Sequence, residues 1–480
     1  MKVGELIKIE GIKNWNKGDI ITIKAGMGKG KSYFIKNMLY AFAKAEGKKI
    51  LMLIHRLDCV NQFRQEIEKD RKTDVIKIMT YQALEYMIKK DYQMDFSKYE
   101  YIVCDEFHYF LSDAAFNRTT DISLNVILGQ TDKIRIFMSA TGDYMKRYMG
   151  YKNLESIDYE LPVDYDFIKE LNFFNEDDTM EKFVEEIIAK DDKAIFFIQS
   201  AKKAYYLHEK YINHTLFNCS ESNKEYSEYV DKDKIKEMLR NERFEEQILI
   251  TTTTMDAGVN IKDTDVKHII CDVEDIGVLI QCIGRRRINN KIENDGIYVY
   301  IKNITNKQLG GRETQAKAKL KRAEYFKEYG GIEYVKQYGR DPDRNAIVYD
   351  EVDKDENIVK KLNEMAYFKL KIDIATIQLM KQSNYVTYIS DLFGKEKYEI
   401  IEKVEKMEEL SEYLDRIVGK KLEKEGQNEL INRVDLRVNR RQQKSYSKLN
   451  EGLKMIKLPY IILPKRNNEN RWWVVEKIDA

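Results

Sequence analysis

Proline is scarce in this chain, with four in 480 residues, and cysteine and histidine number only five each. So little proline leaves no room for long Pro-rich linkers, and connections between domains are expected to be short or helical. The cysteines (Cys59, Cys104, Cys219, Cys271 and Cys282) form no C-x-x-C pair, which excludes a zinc cluster or a disulfide framework as the organising device. They read as small buried residues, and the histidines are equally dispersed, so any metal is expected to arrive with a substrate. No apolar run approaches the roughly 20 residues of a membrane helix. The opening "MKVGELIKIEGIKNW" carries charge throughout where a signal peptide would be apolar. A cytoplasmic protein with no membrane partner is expected. Charge of one sign is not in excess either: 82 Lys and Arg face 81 Asp and Glu, so partners have to be sought in local patches.

What the chain does have is length, and 480 residues exceed one ordinary core, which implies two or three domains. Short apolar runs recur between helical patterns: "IITIK" 20–24, "ILMLI" 50–54, "VIKIM" 75–79, "YIVC" 101–104 and "IRIFM" 134–138. Strands buried on both faces of a parallel sheet read this way. After the charged, proline-containing 159–178 the pattern restarts with "AIFFI" 194–198, "ILIT" 248–251, "HIIC" 268–271 and "IYVYI" 297–301. The expected class is α/β, with two tandem parallel-sheet domains over 1–158 and 159–305. Beyond 305, Lys/Glu-rich segments with helical spacing predict a mainly helical accessory region over 306–430. The tail 431–480, helical and then two β-like runs around a polar turn, has the layout of a winged helix.

Two stretches carry chemistry. "AGMGKGKS" (25–32) lies between the first strand and a helix. A phosphate cradle needs backbone N–H groups converging in a tight turn, a lysine for the outer phosphates and a hydroxyl for Mg²⁺. Gly28 and Gly30 allow the close backbone approach, Lys31 is the ammonium, Ser32 the hydroxyl, and the helix that follows adds its positive end. Ala25 stands where the generic pattern has its first glycine. "YIVCDEFH" sets Asp105 and Glu106 at the end of an apolar strand, where an α/β sheet presents its ligands. Two adjacent carboxylates there are costly without a cation. Asp105 is read as holding Mg²⁺ and Glu106 as the general base on an attacking water.

In this order the motifs resemble a superfamily 2 helicase of the DExH type. "AGMGKGKS" is similar to motif I, "IHRLDCVNQ" (54–62) to motif Ia, "DEFH" (105–108) to motif II and "SAT" (139–141) to motif III. "AIFFIQSAKKAYYL" (194–207) is similar to motif IV, "TTTMDAGVN" (252–260) to motif V and "QCIGRRR" (281–287) to motif VI. The resemblance covers about residues 20–300 and implies two RecA-like domains with ATP and Mg²⁺ between them. It implies nucleotide contacts from Ala25, Gly26, Gly28, Lys29, Gly30, Lys31, Ser32, Tyr33, Asp256 and Gly258, and metal ligation by Ser32 and Asp105. Gln281 is implied at the phosphate or its attacking water, and Ser139 and Thr141 in linking nucleotide state to domain closure. An arginine finger is implied among Arg285, Arg286 and Arg287, with Arg285 and Arg287 the candidates. The motif VI arginine that many members carry three residues after the G-R pair is replaced by Ile288.

The resemblance further implies a single-stranded track touched by Arg56, Thr80, Tyr81, Ser200 and Thr253. These are mostly neutral, so they would grip the sugar-phosphate backbone with little sequence preference. From Ile431 to Arg471 eleven Lys/Arg stand against three acids, with Tyr446, Tyr460, Trp472 and Trp473 interleaved. That pattern reads equally as a nucleic-acid-binding module and as a solvated helix face with a Trp-anchored small core. The expected activity is ATP-dependent movement along nucleic acid, with DNA favoured over RNA. The alternative is an ATPase switch gating a protein partner in replication, repair or defence.

Overall fold

The computed structural model of the chain describes every residue except 27, 56, 93, 108, 113, 115–119, 141–142, 254–259, 289–294, 341–346, 354–355, 439–440, 468–469 and 479–480. The chain divides into two compact units, residues 1–171 with 180–397 and residues 172–179 with 398–480.

In the first unit, strands β1 (Ile20–Lys24), β2 (Ile50–Ile54), β3 (Ile76–Thr80), β4 (Tyr101–Cys104), β5 (Ile134–Ser139) and β6 (Ile157–Glu160) form one sheet in the order β3-β2-β4-β5-β1-β6. Every pairing in it is parallel. The central strands β2, β4 and β5 are buried along their whole length, which is why they read as unbroken apolar runs. The edge strand β6, "IDYE", is mostly exposed, and so polar a stretch carries no strand signal. Its Glu160 still pairs with Lys24, so this sheet runs two residues past the expected boundary at 158.

In a second, seven-stranded sheet the strands β7 (Ile168–Phe174), β8 (Lys193–Ile198), β9 (Thr215–Asn218), β10 (Ile248–Thr251), β11 (Val266–Asp272) and β12 (Ile297–Lys302) run in the order β7-β12-β11-β8-β10-β9. Its central pairings β9-β10-β8-β11-β12 are parallel. Two RecA-like parallel sheets in tandem are therefore present. Strand β7 lies in the charged stretch 159–178 that the sequence marks only as a connection.

The helix Asn306–Tyr338 leaves β12, breaks at Gly330, where φ is +76°, and is followed by the hairpin Val348–Val352/Ile358–Leu362 and the helices Glu364–Ser383 and Tyr385–Leu392. All of these belong to the first unit. The expected accessory region 306–430 is thus split near residue 398.

The second unit consists of the helices Ile401–Ile417, Lys424–Val434 and Tyr446–Met455, a two-residue ribbon at 437–442 and the hairpin Tyr460–Arg466/Arg471–Lys477. The helix Ile401–Ile417 joins it because Leu410 and Leu414 pack with Leu430, Leu449, Leu453, Ile462 and Val475 in one apolar core. Tyr460 is 3% exposed and belongs to the core, and the half-buried Trp473 packs against it, so both aromatics anchor the unit. Tyr446 is exposed, as are Arg441, Lys444, Lys454, Lys457, Arg466 and Arg471. No helix among the described residues is long and apolar enough to cross a membrane.

Candidate active site

The order of the first sheet makes β4, β5 and β1 neighbours, so the segments that follow them open on one edge. Ala25 N donates to Ser139 O at 3.1 Å, and Phe107 N to Met138 O at 2.9 Å. The 25–32 loop, the Asp105–Glu106 pair and Ser139 are brought together in this way.

In the loop, Gly28 (φ +73°) and Gly30 (φ +85°) occupy the left-handed region that a side chain disfavours. Gly30 stands directly before the helix that begins at Lys31. That helix continues through a π-helical stretch, Phe34–Leu39, to Ala45, a departure often found beside functional sites. Lys31 is buried, with Nζ 2.7 Å from Ala25 O and 3.5 Å from Gly26 O. The ammonium therefore lies inside the curl of its own loop. Ser32 is half-buried, whereas Tyr33 is 63% exposed and turned away from the loop interior.

Glu106 is a non-glycine residue at φ +53°, a conformation that costs roughly 1–2 kcal/mol. It is fixed from both sides. Asp105 Oδ1 accepts from Glu106 N at 3.1 Å, and Phe107, 1% exposed, plugs the core. The chain must turn sharply to send Phe107 inward and leave both carboxylates at the sheet edge. The Asp105 carbonyl accepts from the Tyr81 hydroxyl at 2.8 Å.

That bond corrects one expectation. Tyr81 is fully buried and stacks on Tyr109 at 4.8 Å, while Thr80 is 8% exposed and caps the helix Tyr81–Lys89 by accepting from Ala83 N. The Tyr81 ring packs in the interior and offers no face to a strand. Ser200 is exposed at the start of the helix Ala201–Lys210, and Thr253 is half-buried. Arg56, Thr141, Asp256 and Gly258 lie outside the described residues.

From the second sheet, the helix Ile276–Ile283 carries Gln281, 2% exposed, whose Oε1 is buried without a hydrogen-bond partner among the described residues. The three arginines that follow have different environments. Arg286 is 2% exposed; both its Nη atoms meet the Asp295 carboxylate, and Nη2 also donates to Thr264 O at 3.2 Å. Arg285 donates from Nε to Gln281 O at 3.2 Å. Arg287 donates from Nε to Asn260 Oδ1 at 2.7 Å. Burial brings the Arg287 guanidinium down to about 10; Arg285 pushes it the same way, and Glu106 and Glu242 oppose. A cavity of about 470 Å³ is lined by Gly26, Gly28, Lys29 and Ala140 from the first sheet's edge and by Ile280, Gly284, Arg286 and Arg287 from the second. The connecting residues Tyr165 and Phe167 line it as well. Nothing in the sequence singles out those two, because they fall in a stretch without periodicity. Asn260 closes a quoted motif, and its role as the Arg287 partner appears only once the chain folds.

Residues 178–289 match the family model of the helicase conserved C-terminal domain. No curated protein matches the chain. Among solved structures the chain is similar to S. cerevisiae Dbp5 bound to RNA and ADP BeF3, at 17% identity over 59% of this chain and 78% of that one, TM-score 0.44. It is similar to the DEAD-box helicase Mss116 bound to ssRNA and UDP-BeF, at 13% identity over 61% and 68%, TM-score 0.46. It is also similar to the Escherichia coli DEAH/RHA helicase HrpB, at 14% identity over 64% of this chain and 43% of that one, TM-score 0.44.

Proposed function

We propose, taking the chain as a superfamily 2 helicase, that it hydrolyses ATP in the cleft between its two parallel-sheet domains and couples turnover to movement along nucleic acid. The carrying observation is that Arg287, from the second sheet, lines one cavity with the 25–32 loop and lies within electrostatic reach of Glu106.

The donors fit a magnesium nucleotide. Ser32 and Asp105 offer oxygen atoms only, which suits a hard divalent cation, and the glycines at positive φ let loop amides approach phosphate oxygens. Ala25, Gly26, Gly28, Lys29, Gly30, Lys31 and Ser32 hold the phosphates, with Lys31 leaving the Ala25 carbonyl for them; Tyr33, whose ring is exposed, contributes backbone only, and Asp256 and Gly258 complete the nucleotide contacts. Bound Mg²⁺ neutralises phosphate charge. Glu106 accepts a proton from the attacking water, Gln281 orients that water, and Arg287 with Arg285 meets the charge that develops on the γ-phosphate. Arg286 is not a candidate for that task, because both its Nη atoms are committed to Asp295. Ser139 and Thr141 link nucleotide state to domain closure.

The track runs past Arg56, Thr80, Ser200 and Thr253, with Thr80 contributing backbone because its side chain caps a helix. We favour the DExH type and DNA as substrate. The second unit ends in the helix Tyr446–Met455 and the hairpin Tyr460–Arg466/Arg471–Lys477, a helix-then-hairpin layout that supports a winged-helix reading, and it exposes basic side chains. ATP turnover measured in parallel with single-stranded DNA, duplex DNA and RNA tests this, and stronger stimulation by RNA reverses the preference. Lys31→Ala and Glu106→Gln are expected to abolish stimulated turnover. A second reading, a switch that gates a protein partner, predicts ATP turnover with no strand displacement.

A further inference from the structure

The helix Glu364–Ser383 is built into the first-sheet domain by its opening turns. Met365, Phe368 and Ile372 belong to the same core as Phe107 and Tyr148. The Phe368 ring lies 5.0 Å from Tyr148 and 5.2 Å from Tyr151, and Lys152 pairs with Glu364 at 2.6 Å. From this firmly seated helix, Lys369 reaches the other domain. Its Nζ donates to Asp275 Oδ2 at 2.9 Å and to both oxygens of Asp373, one turn further on, at 2.9 Å.

Asp275 is the N-cap of the helix Ile276–Ile283, and its Oδ1 accepts from Val278 N at 3.1 Å. One carboxylate thus serves the cap with one oxygen and the lysine with the other. The capped helix carries Gln281, and Arg285 and Arg287 follow its last turn. We infer that Lys369 is a positioning residue: by holding Asp275 it sets where that helix presents Gln281, Arg285 and Arg287 to the cleft.

This inference rests on the ATP-hydrolysing reading of the cleft. Exposed ion pairs contribute little, but the Lys369 side chain is only 20% exposed and serves two carboxylates. Without its ammonium, Asp275 and Asp373 are like charges that have lost the cation they share. A separate link, Glu313 to Lys381 at 2.7 Å and to Gln378 at 3.1 Å, keeps the helices Asn306–Tyr338 and Glu364–Ser383 together. Loss of Lys369 is therefore expected to act locally, at the cap.

The test compares wild type with Lys369→Met in the full chain, by ATP turnover without nucleic acid and by hydrogen–deuterium exchange. In the variant kcat is expected to fall about tenfold, with the KM for ATP unchanged because the Lys31 loop is untouched. Deuterium uptake is expected to rise in 276–283 and to stay level in the helix that begins at Lys31. Lys369→Arg is expected to restore both readouts. Asp275→Asn, which keeps the cap acceptor and loses the charge, is expected to move them the same way as Lys369→Met. Unchanged uptake in 276–283 overturns the inference whatever the turnover. Uptake rising along the whole chain also overturns it, since the role would then be general stability. Absence of ATP turnover in the wild type both without nucleic acid and with saturating single-stranded DNA or RNA rejects the reading of the cleft instead, and the exchange result still decides whether Lys369 holds the helix.

Discussion

The Tyr81 hydroxyl donates to the main-chain carbonyl of Asp105 at 2.8 Å, so a buried phenol on one strand's exit fixes the turn that displays the two carboxylates. Tyr81→Phe removes that hydrogen bond, a loss of about 0.5–1.5 kcal/mol. The expected outcome is a lower urea midpoint together with slower ATP turnover, because the strained Glu106 backbone relaxes when the Asp105 carbonyl is released. Equilibrium unfolding and steady-state turnover on the same preparation check it.

Arg286 and Arg287 are adjacent, yet their substitution should give opposite signatures. Arg286→Ala removes the guanidinium that meets both oxygens of the buried Asp295 carboxylate and is expected to cost about 3–5 kcal/mol of stability. Arg287→Ala is expected to leave the unfolding midpoint nearly in place and to lower kcat by about 10³. Denaturant titration beside single-turnover hydrolysis separates the two.

Asp121 supplies a pH dependence. Burial, with a smaller push from Glu364, raises its carboxyl to about 6, although it accepts from Glu364 N. Its folded pKa is above its unfolded value, so between about 4 and 6 the folded state holds the extra proton and stability falls as pH rises. At pH 8 the ionised carboxylate is a penalty of at most about 3 kcal/mol. Asp121→Asn should therefore raise the urea midpoint at pH 8, with the gain shrinking towards pH 4.

In the second unit Arg441 and Lys444 are exposed. If this unit binds phosphates, the double substitution Arg441→Glu with Lys444→Glu weakens binding to all duplex sequences alike. It should also flatten the plot of log affinity against log salt by about two units of slope. Fluorescence anisotropy across a salt series measures it, and an unchanged slope removes the unit from the nucleic-acid path.

How legible all this was depended on where each residue's partners lie. Strands β1, β2, β4 and β5 could be read directly, since burial on both faces demands continuous apolar residues. The edge strand β6 and the connecting strand β7 are obscured by charged neighbours, and β9 is only four residues long. At the site, the glycines and Lys31 were visible because the local turn dictates them. Tyr81 was not, because its burial depends on Tyr109 and Phe110, far along the chain. Nor could the three arginines be ranked from sequence: the distinction rests on Asp295 and Asn260, which only folding brings to them.

Glu402 accepts from Asn175 N at 2.8 Å, from Glu176 N at 3.1 Å and from Thr179 Oγ1 at 2.6 Å, across a separation of 227 residues for the first of these. On the ribosome, residues 172–179 therefore emerge long before the helix that satisfies their donors. At about 5–20 residues per second this delay is roughly 10–45 s. During that interval the end of β7 and the turn after it have to wait, and the second unit can close only after residues 398–480 have followed them out.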